Sequence, residues 1–502
     1  MVSFSNEYLK NGLYAIALAL VLFFIVYLHY NLRLSFRFGD EIAHFYAGHL
    51  MLKGKKLYTD IQLNHQPIPY LISAVVDMVF PSNTLLRFIT LQRLAVLAYS
   101  LGFSLILLYM FGRRVLVFIL IFEFTKFFLQ GYKNLQETFA VYGLIYLVFD
   151  LVKLYLENQD SNLRKVLFSF AVFIVLFSLL PAWPALAVLV SLRLIRTKPN
   201  KYLLFLPFAL LLVCMSFVIN YFDWFRETVL YNVKYFIPNS GESVNLIKLF
   251  FLPFSAFLPP YNYLKLILGL TVLSLVISFY YLKKHRILLV CLIFCFYLLN
   301  PRVDEFDFFN FHLLPYFGFI LALDFILSAY RSWIFYLKYF LIILIMSFAF
   351  YNNSDLFAKK NYDAEFHINY YISQKYINAV NLVKDDSDKV LVIPNDPLIY
   401  YGITTLPAVR VIEYYPWVYY IPEVRAELWQ LLKNLPPEII ILTSTHNVDL
   451  NNEVGSYLIG LLKDYKRLNT TNEDYEIYLS KDKAETIPYD KVNQLQNFGF
   501  QF

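Results

Sequence analysis

The sequence predicts a polytopic α-helical membrane protein that carries a small α/β domain at its C-terminal end. Three observations predict it. The chain of 502 residues is 59% hydrophobic, 19% aromatic and only 16% charged, and a water-facing surface needs more charge than that. Apolar blocks recur at 13–30, 88–111, 115–130, 137–152, 166–180, 182–196, 202–220, 262–282, 287–300, 311–330 and 333–351, which hydropathy reads as about eleven spans. After about Asn352 the composition changes, with charges throughout and no spanning run.

The first block, Asn11 to Leu32, contains no Asp, Glu, Lys or Arg, and a span needs about 20 apolar residues. Its apolar core is long for a secretory signal, and no small-x-small cleavage site precedes Arg33, so it reads as a retained signal anchor. The two blocks around Pro181-Ala182-Trp183-Pro184 read as half-length helices joined by a break. Within the spans, Glu123 and Lys126 lie three residues apart and can pair with each other on one helix.

With the N-terminus cytoplasmic, every predicted cytoplasmic loop carries a basic cluster. These are Arg113-Arg114; Lys153, Arg164 and Lys165; Arg193, Arg196, Lys198 and Lys201; Lys283, Lys284 and Arg286; and Arg331 with Lys338. That is the positive-inside pattern. The first outer loop, 31–87, departs from it with Arg33, Arg37, Lys53, Lys55 and Lys56, as a loop meeting an anionic ligand would. An odd number of spans puts the tail outside. The chain therefore divides into a transmembrane domain, 1–351, and an extracytoplasmic α/β domain, 352–502.

In that tail Glu365–Val383, Pro422–Leu435 and Glu453–Lys466 read as helices. Lys389–Ile393, Arg410–Tyr414, Glu438–Leu442 and Tyr475–Leu479 read as strands. The alternation suggests a small doubly wound domain. It has no Gly-x-Gly-x-x-Gly turn, so no nucleotide cofactor is expected, and docking of an acceptor is the more economical role. Cys214, Cys291 and Cys295 all lie in apolar stretches, which argues against a disulfide framework or a zinc site. The net charge of +6 is spent on topology, and no nucleic-acid partner is expected.

The chemistry-bearing words cluster in the first outer loop: Arg37-Phe38-Gly39-Asp40-Glu41, Tyr46-Ala47-Gly48, Gly54-Lys55-Lys56-Leu57-Tyr58-Thr59-Asp60 and Asn64-His65-Gln66-Pro67. Helical spacing from Ile42 to Leu52 predicts a short helix along the membrane surface with Asp40 and Glu41 at its start. There the helix dipole keeps carboxylates ionised, the form that a general base needs. Two further outer segments carry polar words, Tyr132-Lys133-Asn134-Leu135-Gln136-Glu137 and Asn300-Pro301-Arg302-Val303-Asp304-Glu305-Phe306-Asp307-Phe308-Phe309-Asn310-Phe311-His312.

This set of words resembles the first extracytoplasmic loop and later outer loops of GT-C membrane glycosyltransferases. These include the protein O-mannosyltransferase (family 39-like) and lipid A aminoarabinose transferase families. The resemblance implies an inverting enzyme of the plasma (inner) membrane that moves a hexosyl or pentosyl group. The donor would be a polyprenyl-phosphate-linked sugar, and the acceptor an extracytoplasmic glycan, lipid or protein. It implies Asp40 as base, with Glu41 beside it and Glu137 as the second acidic position. Tyr58, His65, Gln66, Lys133 and Arg302 would be substrate-binding residues. Where the aminoarabinose transferases have a Lys before the loop's Pro, this chain has Gln66. His65, Lys133, Arg302 or a divalent cation would then supply the positive charge.

Asp40, Glu137 and Arg302 are expected to converge on one cavity, and of the adjacent acids the one not facing it should hold the loop. The rival readings are a transporter or flippase of lipid-linked sugars and a catalytically inactive relative. A transporter should show internal repeats with matching broken helices; one break, at 181–184, stands without a second copy. An oligosaccharyltransferase would carry a Trp-Trp-Asp-Tyr-Gly type word, which is absent.

Overall fold

Each of the eleven apolar blocks falls on a helix. In the computed structural model these helices are Val2–Leu32, Leu85–Phe111, Val115–Phe128, Gln136–Glu157, Asn162–Leu176, Trp183–Arg196, Tyr202–Ser216, Tyr263–Tyr281, Arg286–Leu298, Leu313–Ser328 and Ser332–Asn352. The structure describes residues 2–33, 41–197, 200–239, 252–257, 259, 262–299, 310–328, 332–353, 374–393, 397–412, 416–443, 453–470 and 475–501. Among these residues, Asn11–Leu32, Leu85–Phe111, Gln136–Glu157 and Tyr263–Tyr281 are long and apolar enough to cross a membrane. The break at Pro181–Pro184 is a short 3-10 turn, Leu180–Ala182, with Pro184 in the first turn of the next helix. A proline is tolerated there because it lacks only a donor that has no helical partner anyway.

Charged side chains inside the bundle are paired within or across helices, and their networks reach neighbouring helices. Lys126 Nζ lies 2.6 Å from Glu123 Oε2 and donates to Ser100 and Tyr142, each at 2.7 Å. Asp150 receives Arg164 at 2.7 Å and Arg193 at 2.8 Å. Asp324 receives Lys338 at 2.5 Å, with Ser274 3.1 Å from the same ammonium. An unpaired charge would cost about 2.5–3.5 kcal/mol on insertion scales, so each network also fixes which helices are neighbours. Small residues set the closest approach. A Cβ on Gly318 would fall 2.2 Å from Val141 Cγ2, so Leu313–Ser328 lies against Gln136–Glu157 only with glycine there.

The first outer loop begins with the expected helix, Glu41–Leu52, but that helix is covered rather than lying on a surface. Glu41, Ala43, His44, Phe45, Tyr46, Ala47, Gly48 and Leu50 are all buried. Its partner is Ile68–Val79, which approaches so closely that a Cβ on Gly48 would sit 2.7 Å from Ala74 N and Ser73 Cβ. On another side Tyr46 stacks on Tyr400, at 5.8 Å between centroids.

The tail forms a five-stranded sheet: β1 Val390–Ile393, β2 Ile439–Thr443, β3 Tyr465–Thr470, β4 Tyr475–Ser480 and β5 Phe500–Gln501. The strand order is β1-β2-β4-β3-β5. Only β1 and β2 run parallel; the other pairs are antiparallel. This mixed sheet replaces the doubly wound domain expected from the alternation. The predicted Glu453–Lys466 helix ends at Leu462, and β3 follows at once. In β3 only Leu468 is fully buried, with Lys466, Arg467 and Asn469 exposed, so no buried-strand run marks it in the sequence. A short connection from β3 to β4 permits only an antiparallel pair. Pro422–Asn434 is helical as expected. Of the predicted 365–383 helix, the described part, 374–383, is helical. Arg410–Tyr414 forms no strand among the described residues; Val411 instead makes an isolated parallel bridge to Gln62.

That bridge belongs to a seam between the sheet region and the first outer loop. Gln62 N donates to Arg410 O at 3.0 Å, Tyr401 stacks on Phe88 at 4.1 Å, and one apolar core contains Phe45, Tyr58 and Tyr70 together with Val390, Tyr400 and Ile439. Glu227 lies buried in the seam, on a π-helical turn, Arg226–Leu230. Its carboxylate accepts from Leu63 N at 3.1 Å and from Arg410 Nη1 at 3.4 Å. Burial outweighs these donors and pushes Glu227 up to about 8 from an ordinary 4.5. The folded chain therefore holds a proton that the unfolded chain releases, so Glu227 makes the protein less stable as pH rises from 4.5 through about 8. Glu227→Gln should flatten the pH dependence of the melting temperature in detergent across that window. An unchanged slope would remove Glu227 as its source.

Candidate active site

Three segments that connect the helices meet around Asn134 and Glu137. The Glu41–Leu52 helix contributes Glu41 and His44. The Glu41 carboxylate receives Arg93 Nε at 3.1 and 3.2 Å and is also held by Arg93 Nη2. Both side chains are fully buried. Arg93 Nη1 continues to the Arg33 carbonyl at 3.0 Å, which pins the chain on either side of residues 34–40. Asn134 is the hub between helices. Its backbone N–H lies 3.4 Å from Glu41 Oε2, its amide donates to Ser73 Oγ at 2.9 Å, and its carbonyl accepts from His44 Nδ1 at 2.7 Å.

His65 sits at the centre of the first loop, half-buried. Its Nδ1 lies 3.2 Å from His44 Nε2, and its carbonyl accepts from Tyr58 OH at 2.8 Å. Tyr58 is fully buried and has φ of +65°, a conformation that a bulky side chain rarely adopts and that surrounding structure must impose. What imposes it here is a tight loop in which Tyr58 N donates to Ile61 O at 2.8 Å. The strained turn directs the phenol onto the His65 backbone, so Tyr58 acts on the site through His65. Burial also raises the Tyr58 hydroxyl well above its usual range, which keeps it a donor.

Glu137 opens the Gln136–Glu157 helix and is buried. Its Oε1 lies 3.1 Å from His312 Nδ1, and His65 is within electrostatic reach of the same carboxylate. Thus Glu137 stands between two histidines that come from loops 175 residues after it and 72 before it in the chain. Lys133, four residues before Glu137, is buried. Gln66 turns the other way: its Oε1 accepts from Trp224 Nε1 at 3.0 Å, and among the described residues its Nε2 has no partner. Asp40 and Arg302 lie outside the described residues. Glu41 is the first residue of its helix, and its carboxylate is bound by Arg93. Among the described residues, no group of three or more His, Cys, Asp or Glu side chains is arranged to hold a metal ion.

Beneath the loop is an apolar groove of about 710 Å³ between the Asn162–Leu176, Trp183–Arg196 and Tyr202–Ser216 helices, lined by Phe168, Leu176, Trp183, Val190, Leu204 and Phe208 among others. Trp183 at its edge lies 5.9 Å from the Trp224 ring, and Trp224 holds Gln66, the neighbour of His65. The groove and the polar cluster are therefore joined through two tryptophans. Sequence reasoning passed over His44, Asn134 and His312 as site residues. His312 stood in a word already singled out, and its place next to an aromatic, acid-rich loop was the one available signal.

Comparison of folds places this architecture. The chain superposes on the crystal structure of ArnT from Cupriavidus metallidurans in the apo state with a TM-score of 0.52, at 10% identity, covering 92% of this chain and 98% of that one. For ArnT from the same organism bound to undecaprenyl phosphate the TM-score is 0.55, at 11% identity, with 92% and 97% covered. The fold is the GT-C fold of ArnT over nearly the whole length of both chains. No protein-family model matches the sequence, and no curated protein matches it either.

Proposed function

We propose that this protein is an inverting glycosyltransferase that moves a hexosyl or pentosyl group from a polyprenyl-phosphate donor to an acceptor hydroxyl. The reaction takes place at the outer face of the plasma (inner) membrane. Residues 1–351 serve as the transmembrane domain and 352–502 as the outer domain, which docks the glycan, lipid or protein acceptor. The observation that carries the reading is the polar cluster of His65, Glu137 and His312, drawn from three loops and linked through Trp224 and Trp183 to an apolar groove. A lipid phosphate needs both parts, an apolar channel for its chain and a polar end for its head. The shared fold with ArnT, one structure of which contains undecaprenyl phosphate, supports the same donor class.

In the reaction Asp40 takes the proton of the acceptor hydroxyl as its oxygen attacks the anomeric carbon. The bond from that carbon to the phosphate oxygen breaks, and the electron pair leaves on the lipid phosphate. Asp40 directly precedes Glu41, and the Glu41–Arg93 pair ties that point of the chain to Asn134, three residues before Glu137. A general base must come within about 2.6–3.2 Å of the proton it takes. A departing phosphate needs its charge met rather than strong protonation, and Lys133, Arg302 and His65 are the residues available for it.

The test is transfer by the full chain in proteoliposomes supplied with a polyprenyl-phosphate sugar and envelope acceptors. Direct displacement predicts a product with inverted anomeric configuration. Retention of configuration would contradict it.

A further inference from the structure

The hydrogen bonds around His44 fix more than its position. A carbonyl oxygen can only accept, so the 2.7 Å contact from His44 Nδ1 to the Asn134 carbonyl puts a proton on Nδ1. In neutral His44 the other nitrogen, Nε2, is then an acceptor. It lies 3.2 Å from His65 Nδ1, so that contact requires the proton on His65 Nδ1. The chain of donors runs one way, from His65 to His44 to Asn134. It leaves Nε2 as the atom of His65 that gains and loses a proton.

Among the described residues, His44 Nε2 and the Glu137 carboxylate act on this ring. Tyr70 packs edge-on against His44 at 5.0 Å, and Tyr58 takes the His65 carbonyl. Glu137, itself bonded to His312, faces His65 electrostatically. A proton on His65 Nε2 turns the ring into a cation flanked by an acceptor nitrogen and a carboxylate. Both of these neighbours suit the charged form.

Resting on the reading of the site as one for a lipid phosphate, we propose that His65 is the cation of the phosphate end and that His44 is the positioning residue that fixes its tautomer. His65 Nε2–H donates to the phosphate oxygen that receives the electron pair of the broken bond, and no proton need cross. Imidazole, with an ordinary pKa of about 6.5, and a phosphate monoester, whose second pKa is about 6, titrate close together. Phosphate binding is thus strongest where His65 is protonated and weakens as pH rises, unlike binding by a permanent lysine charge. Gln66 contributes none of this charge, since it is neutral and engaged with Trp224.

The experiment is binding of undecaprenyl phosphate to the full-length protein by native mass spectrometry between about pH 5.5 and 9, a range that spans both titrations. Wild type should bind less tightly as pH rises. His65→Lys should bind with only the ligand's own, shared pH dependence, and His65→Gln should bind about tenfold or more weakly at the acid end, roughly the value of one hydrogen bond to a charged group. His44→Phe keeps the ring against Tyr70 but removes the acceptor, and should move the wild-type decline to lower pH. Side-chain ¹⁵N shifts of neutral wild-type protein, assigned with these variants, should show Nδ1 protonated on both histidines. A wild type that binds while His65→Gln and His65→Lys match it at every pH overturns this proposal and leaves the transferase reading standing. A proton on His65 Nε2 in the neutral state overturns the tautomer assignment. A wild type that fails to bind undecaprenyl phosphate overturns both.

Discussion

Asp40→Asn is expected to lower sugar transfer by roughly 10²–10⁴-fold, the usual worth of a positioned base. The substitution keeps shape and hydrogen-bonding volume but removes the proton acceptor, so donor binding should persist while turnover falls. Single-turnover assays with a polyprenyl-phosphate donor separate the two. The adjacent acid gives the internal control. Glu41 is fully buried against Arg93 and holds the start of its helix. Glu41→Gln should therefore act mainly on stability. An Asp40→Asn protein with near-native turnover would end the assignment, and a larger catalytic loss in a fully folded Glu41→Gln protein would move the base to Glu41.

The second large effect concerns that same buried pair. Arg93→Met should destabilise the fold by about 3–5 kcal/mol, because it leaves the Glu41 carboxylate buried with its main partner gone. The pair joins the Leu85–Phe111 helix to the first outer loop, and through Asn134 to the Glu137 segment. Its loss should appear as a much lower melting temperature in detergent and low recovery of folded protein. Replacing both residues, Glu41→Gln with Arg93→Met, removes the orphaned charge and should recover part of the loss. Coupling of that kind is what a double-mutant cycle measures. Additive losses in the cycle would show that the two side chains do not act as a pair.

The transmembrane architecture was readable because it rests on composition and local rules. Apolar blocks become helices, a Pro-Ala-Trp-Pro word becomes a break, and Glu123 and Lys126 at helical spacing pair as expected. The C-terminal sheet was read less well, since β3 presents one buried residue among polar ones and its pairing with β4 and β5 is decided by neighbours rather than by its own pattern. The site was half readable. Glu137, His65 and Glu41 stand in recognisable words. The role of His44 depends on Asn134, 90 residues later, and that of His312 on Glu137, 175 residues earlier. Contacts over such separations leave no mark in either local sequence. Tyr58 shows the same limit: the residue was singled out, while the strained turn that aims its hydroxyl at the His65 backbone is visible only in three dimensions.

A protein that transfers a sugar and one that merely moves a lipid-linked sugar across the membrane both need an apolar groove and a polar end. They differ in whether the bond between sugar and phosphate breaks. The deciding measurement is the mass balance of a polyprenyl-phosphate sugar incubated with the full-length protein in liposomes containing acceptor, followed by mass spectrometry of lipids and acceptor together. The account predicts free polyprenyl phosphate and glycosylated acceptor in equal amounts, with both absent for Asp40→Asn. Intact donor relocated to the opposite leaflet, with no bond broken and no acceptor modified, would contradict it.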